Sequence, residues 1–369
     1  MNLTIAKEQL LAGLASVQNV VGSRTTLPIL SNVLLRAEGT RLELTATDLD
    51  VTITCSVEAT IKSGGATTLP VKKLFGIARE LNSSEIDIEV DEKNVCSLRS
   101  DSSFFKIRGL AAEEFPPPPK FKEDKHVTLP QAKVKGMLRK TAFAISNDES
   151  RYVLNGIFFS LKEHKLTMVA TDGRRLALCD EEVDVAANSA GEFIVPGKAV
   201  TELTRLLLEQ GDVEIKFSDN QAAFTLKDEK GHPTLVITKL IEGNYPNYRQ
   251  VIPGEAKERV PFAREELMHA LRRAELMTSD KQNSVKMTFT KNNLAITANS
   301  PDVGEARESM AINYKGKDMS IAFNPSYLID PLNALPDDEV YIELIDELSP
   351  GVLKINGPFL YVVMPMRLS

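Results

Sequence analysis

The amino-acid sequence predicts an α+β fold of three repeated domains, each combining antiparallel sheet with two helices. Three observations predict it. Strands with alternating apolar residues recur at one period, the same order of strand and helix surrounds each copy, and 369 residues are enough for two or three domains. The apolar fraction of 43% and the charged fraction of 26% are ordinary for a globular chain. No run of about 18 apolar residues occurs, so no membrane span is expected.

The first repeated block is a pair of strands. Its copies read LLRAEGTRLELTATDLDVTI from Leu34, FFSLKEHKLTMVATDGRRLAL from Phe158 and MTFTKNNLAITANSPDVGEA from Met287. Each copy is an apolar strand, a polar turn and a strand with period-2 alternation. Thr47, Thr171 and Thr297 occupy equivalent positions, 124 and 126 residues apart. The spacing predicts one repeat of about 120 residues per domain.

Two predicted helices complete each repeat. The opening helices read IAKEQLLAGLASVQNVV, LPQAKVKGMLRKTAFAI and FAREELMHALRRAELM, and Leu10, Leu14 and Val17 have helical spacing. The second helices follow a proline, which the first helical turn tolerates. They lie in TTLPVKKLFGIARELN, FIVPGKAVTELTRLLLEQ and IAFNPSYLIDPLNAL. Chance similarity of short strands is the alternative, but three blocks recur in the same order. We therefore expect domains at residues 1–120, 127–252 and 253–369.

The positive charge is concentrated on predicted helices. The net charge of −7 argues against a simple DNA-binding protein. However, the predicted helix over residues 131–145 has Lys133, Lys135, Arg139 and Lys140 and no acidic residue, whereas acids cluster at residues 85–92, 180–184 and 337–347. A locally basic surface attracts phosphates; the alternative is that these helix faces are only solvated. Because tryptophan is absent, we expect sequence-independent phosphate contacts, not stacking on single-stranded bases.

No motif for catalysis, metal binding or cofactor binding is found. The three cysteines are far apart, which predicts reduced, buried thiols in a cytoplasmic protein: Cys55, Cys96 and Cys179. A hydrolase using Asp48, Asp172 and Arg175 is the competing interpretation. The two aspartates are repeat equivalents, however, so they belong to different domains, and no P-loop, GxGxxG or GxSxG motif is present. The sequence therefore predicts that the chain is not an enzyme and has no cofactor.

Six longer motifs extend from one end of the chain to the other. They are SRTTLPILSNVLL (residues 23–35), RYVLNGIFF (151–159), ATDGRRLA (170–177), NYPNYRQVIP (244–253), FNPSYLIDPLNAL (323–335) and YVVMPMRL (361–368). In these motifs the chain resembles the bacterial DNA polymerase III beta subunit family, the replicative sliding clamps. The resemblance implies a DNA clamp fold and a head-to-tail homodimer that forms a ring around double-stranded DNA without sequence specificity.

The resemblance also implies a processivity factor of DNA replication. Such a protein tethers DNA polymerase III and other polymerases through their short linear motifs, and an ATP-driven clamp loader opens it. It is cytoplasmic and nucleoid-associated, with no membrane partner. A peptide-binding scaffold that forms no ring is the other interpretation of the same motifs.

Candidate DNA-contacting residues come from the basic helices and from the resemblance. They are Arg24, Lys72, Lys133, Arg151, Tyr152 and Lys198. For Arg151 and Tyr152 the alternative is a packing role at the entrance to a strand of the second repeat.

The resemblance further implies a hydrophobic groove for partner peptides, with the C-terminal tail on its rim. Its residues are Leu154, Thr171, Gly173, Arg174, Arg175, Leu176, Pro246, Asn324, Tyr327, Val362, Val363, Met364, Pro365, Met366, Arg367 and Leu368. Methionine suits a pocket that serves several partners. The alternative is that VVMPM is an ordinary core strand. Arg174, Gln250, residues 348–352 and Ser369 depart from the family pattern, which leaves the peptide preference open.

The resemblance places the dimer interface between the first domain of one chain and the third domain of the other. The implied residues are Lys73, Phe105 and Ile107 on one side, and Leu276, Met277, Asp302, Glu305 and Glu308 on the other. An apolar centre with a charged rim is the expected anatomy. Gly304 and Arg307 interrupt the acidic cluster of the family, so the strength of the dimer is left open.

Overall fold

The fold is described by a computed structural model covering residues 1–22, 27–119, 121, 125–183, 189–228, 231–256 and 258–367. Arg24 and Leu368, two of the predicted site residues, lie outside these ranges. The chain divides into two compact units. Unit 1 comprises Met1–Lys135 and Lys198–Leu240, and unit 2 comprises Gly136–Gly197 and Ile241–Ser369.

Strands of four to eight residues are the commonest elements of the described chain. In chain order they are β1 (Asn2–Ala6), β2 (Asn32–Glu38), β3 (Arg41–Thr47), β4 (Val51–Glu58), β5 (Thr60–Ser63), β6 (Gly65–Pro70), β7 (Glu85–Val90), β8 (Val95–Ser100), β9 (Ser103–Arg108), β10 (Lys125–Pro130), β11 (Gly156–Lys162), β12 (Lys165–Thr171), β13 (Arg175–Glu182), β14 (Gly191–Pro196), β15 (Asp212–Phe217), β16 (Gln221–Lys227), β17 (Pro233–Lys239), β18 (Glu258–Ala263), β19 (Val285–Thr290), β20 (Asn293–Ser300), β21 (Gly304–Ala311), β22 (Met319–Phe323), β23 (Glu339–Leu344), β24 (Gly351–Lys354) and β25 (Phe359–Val363).

The helices occur where the repeat predicts them, two per repeat. They are α1 (Lys7–Val17), α2 (Val71–Glu80), α3 (Gln131–Thr141), α4 (Gly197–Leu206), α5 (Arg264–Glu275) and α6 (Pro325–Ala334). Pro70 and Pro196 directly precede α2 and α4, and Pro325 is the first residue of α6. The helix predicted over residues 131–145 is shorter than expected, because it ends at Thr141 and a 3-10 turn, Ala142–Ala144, follows.

Unit 1 contains two antiparallel sheets. Their strand orders are β5-β1-β7-β8-β9 and β10-β15-β16-β17-β4-β3-β2-β6. The larger sheet joins two repeats, because β17 of the second pairs with β4 of the first, with Val236 opposite Ile53. Helix α1 buries Leu10, Leu14 and Val17, as their spacing predicts, and contacts β4 and α2.

Unit 2 has the same plan. Its sheets have the orders β14-β11-β12-β13-β25-β24-β23-β18 and β21-β20-β19-β22. Here β13 of the second repeat pairs with β25 of the third, with Leu176 opposite Val362. In both units an eight-stranded sheet therefore takes strands from two consecutive repeats, which the repeat pattern did not predict.

In all three repeats the first residue of the opening helix contacts the backbone at or just after the end of the second helix. The Lys7 ammonium donates to the carbonyl of Leu81 after α2, and Arg264 donates to the carbonyl of Leu332 near the end of α6, at 3.1 Å. Gln131 accepts from the amide of Leu208 after α4, at 3.0 Å. In the first and third repeats the contact satisfies a carbonyl at the C-terminal end of a helix, where carbonyls lack intrahelical partners. The contact supports the equivalence of the three repeats.

The cysteines are buried free thiols, as their spacing predicts. Burial raises the pKa of Cys55, Cys96 and Cys179 to about 12. In the described part of the chain no helix is long and apolar enough to cross a membrane.

Candidate partner groove and nucleic-acid interface

The ATDG motif forms a tight turn between β12 and β13. The Asp172 carboxylate accepts hydrogen bonds from the amides of Arg174 and Arg175, at 2.9 and 3.1 Å. The hydroxyl of Thr171 donates to the carbonyl of Arg175 at 2.6 Å. Gly173 has a φ of +86°, and a Cβ at this position would lie 2.6 Å from Nη1 of Arg151. The backbone conformation therefore favours glycine, and an added Cβ would also have to displace the exposed end of the Arg151 side chain.

The guanidinium of Arg175 lies in the interior of unit 2 beside this turn. Its three nitrogens donate to Asp172 (Nε, 3.0 Å), Asp330 (Nη1, 2.5 Å) and the carbonyl of Phe143 (Nη2, 2.6 Å). It also lies over the ring of Tyr327, 4.5 Å from the centroid. Burial is the largest single influence and opposes the positive charge, but the hydrogen bond to Asp330 and the nearby negative charges together outweigh it, and the pKa of Arg175 is raised.

The C-terminal segment passes from the sheet onto the surface. Val362 and Val363 are 2% exposed and pair with β13. After them, the amide of Met364 donates to the carbonyl of Arg174 at 2.9 Å, and the amide of Met366 donates to that of Ala322 at 2.7 Å. The side chains of Met364 and Met366 are 44% and 40% exposed. The two valines are thus core residues, whereas the methionines present apolar surface next to the ATDG turn.

An apolar cluster lies on the adjoining face of the same sheet. Val169, Leu176 and Val362 form its centre. Phe158 stacks on Tyr245, with ring centroids 5.0 Å apart. Tyr245 belongs to the NYPNY segment that connects the second and third repeats, so this connection packs on the sheet and leaves Pro246 exposed beside the cluster.

Helix α6 supplies another side of this region. The side chain of Asn324 caps the helix by accepting from the amide of Ser326 at 3.0 Å. One turn on, the Tyr327 carbonyl accepts a hydrogen bond from the buried Tyr361 hydroxyl at 2.6 Å. Leu154 is buried, and Arg174 and Arg367 are exposed. The predicted groove residues described by the structure therefore all belong to unit 2.

Arg151 and Tyr152 lie next to the ATDG turn. Nη1 of Arg151 is 3.5 Å from the carbonyl of Asp172, and its Nε is 3.7 Å from Asp148. Tyr152 is 58% exposed, whereas Leu154 two residues later is buried. The segment thus combines a packing role at Leu154 with exposed basic and aromatic side chains.

The other described candidates for DNA contact are in unit 1. Lys72 on α2 is exposed and Lys133 on α3 is half-buried. Lys198, at the start of α4, forms an ion pair with Asp48 and donates to the carbonyl of Val20 at 2.8 Å. The ammonium of Lys198, a residue of the second repeat, is therefore bound to two residues of the first repeat.

Two sheet edges carry the residues predicted for the dimer interface. On edge strand β9, Phe105 is 38% exposed and Ile107 is 9% exposed. Beside edge strand β21, Leu276 is 73% exposed, and the sulfur of Met277 would lie 3.7 Å from a Cβ at Gly304. Lys73, Asp302 and Glu305 are exposed as well.

Glu308, the remaining interface candidate, has a partner within its own chain. It accepts a hydrogen bond from Nη2 of Arg273 on α5 at 2.6 Å, and this contact lowers its pKa. The acidic cluster predicted at this edge is therefore partly neutralised.

The hydrolase interpretation finds no support in these contacts. Asp48 belongs to unit 1 and is paired with Lys198, whereas Asp172 belongs to unit 2 and is paired with Arg175. Within the described ranges, no three His, Cys, Asp or Glu side chains are grouped as metal ligands.

Comparison with known proteins identifies the family. Models for the DNA polymerase III beta subunit match along the chain: the N-terminal domain at residues 1–119, the central domain at 128–247 and the C-terminal domain at 249–367. The chain belongs to the DNA polymerase III beta subunit family. The family resemblance, the α+β fold of three domains and the assignment as a non-enzymatic sliding clamp and processivity factor are thereby confirmed.

Full-length relatives include the beta sliding clamps of Chlamydia pneumoniae and Escherichia coli K12. The first is 34% identical over 368 residues, covering 100% of this chain and 99% of the relative. The second is 35% identical over 374 residues, covering 100% of both. Among solved structures, a DnaN sliding clamp from Bartonella birtlesii bound to griselimycin is 36% identical with a TM-score of 0.94. The beta subunit from Pseudomonas aeruginosa is 34% identical with a TM-score of 0.92, and both structures match over 100% of each chain.

Several residues that organise the groove region were missed by the sequence reasoning. They are Phe143, Asp330, Tyr245 and Tyr361. Asp330 lies in the quoted FNPSYLIDPLNAL motif and Tyr361 begins YVVMPMRL, but a polar residue on a helix and a tyrosine in a strand give no local signal of their partners. The contact with Arg175, 155 positions away from Asp330, is not readable from spacing.

Proposed function

We propose that this sliding clamp encircles double-stranded DNA as a head-to-tail homodimer, and that it tethers DNA polymerase III and other polymerases through a groove on each chain. The observation that carries the proposal is the full-length match to beta sliding clamps, together with a groove region built around Arg175 in unit 2. The domain boundaries proposed for this arrangement are residues 1–120, 127–252 and 253–369.

DNA contact in this proposal is electrostatic and independent of sequence. Arg24, Lys72, Lys133, Arg151, Tyr152 and Lys198 are its proposed residues. Lysine and arginine side chains neutralise phosphates, and such contacts exchange quickly when they are few and exposed. Because a closed ring prevents escape, the individual contacts can remain weak and permit sliding.

The proposed dimer joins edge strand β9 of one chain to edge strand β21 of its partner. Edge strands present unpaired N–H and C=O groups that pair readily with another chain. Phe105, Leu276 and Met277 supply apolar surface above the buried Ile107, with Lys73, Asp302, Glu305 and Glu308 at the rim. A head-to-tail contact of this kind closes into a ring when the rotation between subunits permits it.

The proposed groove takes short linear motifs of partner proteins. Met364 and Met366 offer adaptable apolar surface, and the turn at Gly173 and Arg174 forms the adjoining rim. The Bartonella birtlesii clamp was solved bound to griselimycin, and we propose that this chain also binds griselimycin, in the groove described above. We also propose that an ATP-driven clamp loader opens the ring, and that the clamp works at the nucleoid in the bacterial cytoplasm.

The proposal is tested by loading the clamp onto nicked circular DNA with a clamp loader and ATP, then cutting the circle with a restriction enzyme. Retention through gel filtration on the circle and release after linearisation are expected, because a ring slides off free ends. Equal retention on circular and linear DNA would point to an ordinary DNA-binding protein. Failure to remain on either form, with griselimycin binding intact, would favour the peptide-binding scaffold.

A further inference from the structure

The Arg175 guanidinium joins three segments of unit 2. Its three nitrogens are each engaged, by Asp172 in the turn, Asp330 on α6 and the carbonyl of Phe143 after α3. The side chain is only 11% exposed. These contacts use three of the five N–H donors of the guanidinium, and so little of the side chain is exposed that it acts mainly within its own chain, unlike an exposed arginine on a groove rim.

Helix α6 packs on α5 through its buried apolar face, and two side-chain hydrogen bonds join it to the eight-stranded sheet. Asp330 binds Arg175 on β13, and the Tyr361 hydroxyl on β25 donates to the Tyr327 carbonyl. The ring of Tyr327 lies between these contacts, against the guanidinium. Between helix and sheet, Tyr327 is therefore held by one charged contact and one neutral contact, and charge-assisted hydrogen bonds are the stronger kind.

We propose that Asp330 is a positioning residue of the partner groove: it fixes the guanidinium of Arg175 and, through it, the place of Tyr327. The inference rests on the groove proposed above. Asp330 itself need not touch the peptide. Its carboxylate holds α6 against the turn that contains Gly173, so that the side of the groove formed by α6 is in place before a peptide arrives. Such preorganisation raises affinity by lowering the cost of ordering on binding.

The test compares two isosteric substitutions. Asp330→Asn removes the negative charge facing Arg175. Glu343→Gln is the matched control, because Glu343 is 12% exposed and pairs with Lys354 at 2.6 Å within the same eight-stranded sheet, but has no contact with Arg175. Griselimycin binding to the full-length chain is measured by isothermal titration calorimetry. We expect binding about tenfold weaker for Asp330→Asn, and within about twofold of the wild type for Glu343→Gln.

A spectroscopic measurement separates positioning from a direct contact. The chain has only seven tyrosines, so 3-fluorotyrosine labelling gives a simple fluorine NMR spectrum. The Tyr327 signal is assigned with Tyr327→Phe. Without griselimycin, this signal should shift in Asp330→Asn and stay unchanged in Glu343→Gln. Asp330→Glu retains the carboxylate and should recover most of the affinity.

The outcomes distinguish the inference from the groove itself. If Asp330→Asn binds griselimycin like the wild type, or if its affinity falls while the Tyr327 signal is unmoved, the positioning role is wrong. It is equally wrong if Asp330→Glu binds as weakly as Asp330→Asn. If the wild-type chain fails to bind griselimycin, the proposed groove is overturned, and the role of Asp330 falls with it.

Discussion

At the scale of single residues, the ATDG turn shows why the chain needs certain side chains at fixed places. Gly173 adopts a left-handed conformation and leaves space for the guanidinium of Arg151. Asp172 accepts from two backbone amides and also binds Arg175. The sequence reasoning selected Gly173 and Arg175 for the groove, but placed Asp172 only in the rejected hydrolase site. Its structural role depends on Arg175, whose other partners are distant in sequence.

Gly173→Ala is expected to damage the groove more than the fold. The left-handed conformation costs a non-glycine residue about 1–2 kcal/mol, and the added Cβ must also displace Arg151. Gly39→Ala is a suitable control, because Gly39 has a φ of +59° but nothing within 4 Å of the added Cβ. Urea denaturation should show similar losses of stability in both variants, with weaker griselimycin binding only in Gly173→Ala. Equal binding by the two variants would contradict the role given to the turn.

At the scale of helices and strands, the local parts of the fold were predictable and the pairings were not. Apolar periodicity and the prolines before or at the second helices predicted where the six described α-helices occur, although α3 ends earlier than predicted, because these signals act within a few residues. The pairing of β17 with β4, and of β13 with β25, joins strands from different repeats. Alternation shows which face of a strand is buried, but many strands of similar alternation could be the partner, so the two eight-stranded sheets were not foreseen.

Edge strands β9 and β21 give the element-scale prediction. Leu276 lies beside β21 and is 73% exposed, so Leu276→Asp should leave the fold of the single chain intact while placing a charge in the apolar part of the proposed interface. Sedimentation velocity at micromolar concentration should show the wild type at twice the chain mass of 40.7 kDa, and the variant shifted to the single-chain mass.

Leu348→Asp controls for the general effect of an exposed aspartate, because Leu348 is 82% exposed in the turn between β23 and β24. It should sediment like the wild type. A wild-type chain found only at the single-chain mass would contradict the dimer.

At the scale of the whole molecule, the proposed ring around DNA explains how a protein with a negative net charge can stay on DNA. A chain with a net charge of −7 is a poor candidate for tight phosphate binding, and the ion pairs of Lys198 and Lys135 reduce the free positive charge further. A ring that is closed around the duplex does not need to bind phosphates tightly, because it cannot leave the DNA except at a free end. The sequence supplied the repeats and the basic helices for this idea, while the dimer came only from the family resemblance.

Salt dependence provides the corresponding prediction. Ordinary electrostatic binding weakens by orders of magnitude when salt rises from about 0.05 to 0.2 M, because counterions compete for the phosphates. A clamp already loaded on a nicked circle should be retained equally at both concentrations, whereas unloaded clamp mixed with linear duplex should lose its weak affinity. Gel filtration of labelled clamp measures both. If the loaded clamp dissociates from the circle at the higher salt concentration as the unloaded clamp does from linear duplex, the clamp is not held by a closed ring.

Because β13 of the second repeat pairs with β25 of the third, the proposed groove is formed by residues of both repeats. The turn at Gly173 is encoded in the second repeat, and the methionines are encoded in the third. A truncated chain consisting of the third repeat alone would lose one side of the groove and expose the edge of β25 to aggregation. The paired residues of β13 and β25 are far apart in the sequence, so a change in one strand must remain compatible with the other. The second and third repeats are therefore expected to be inherited together and not exchanged singly between relatives.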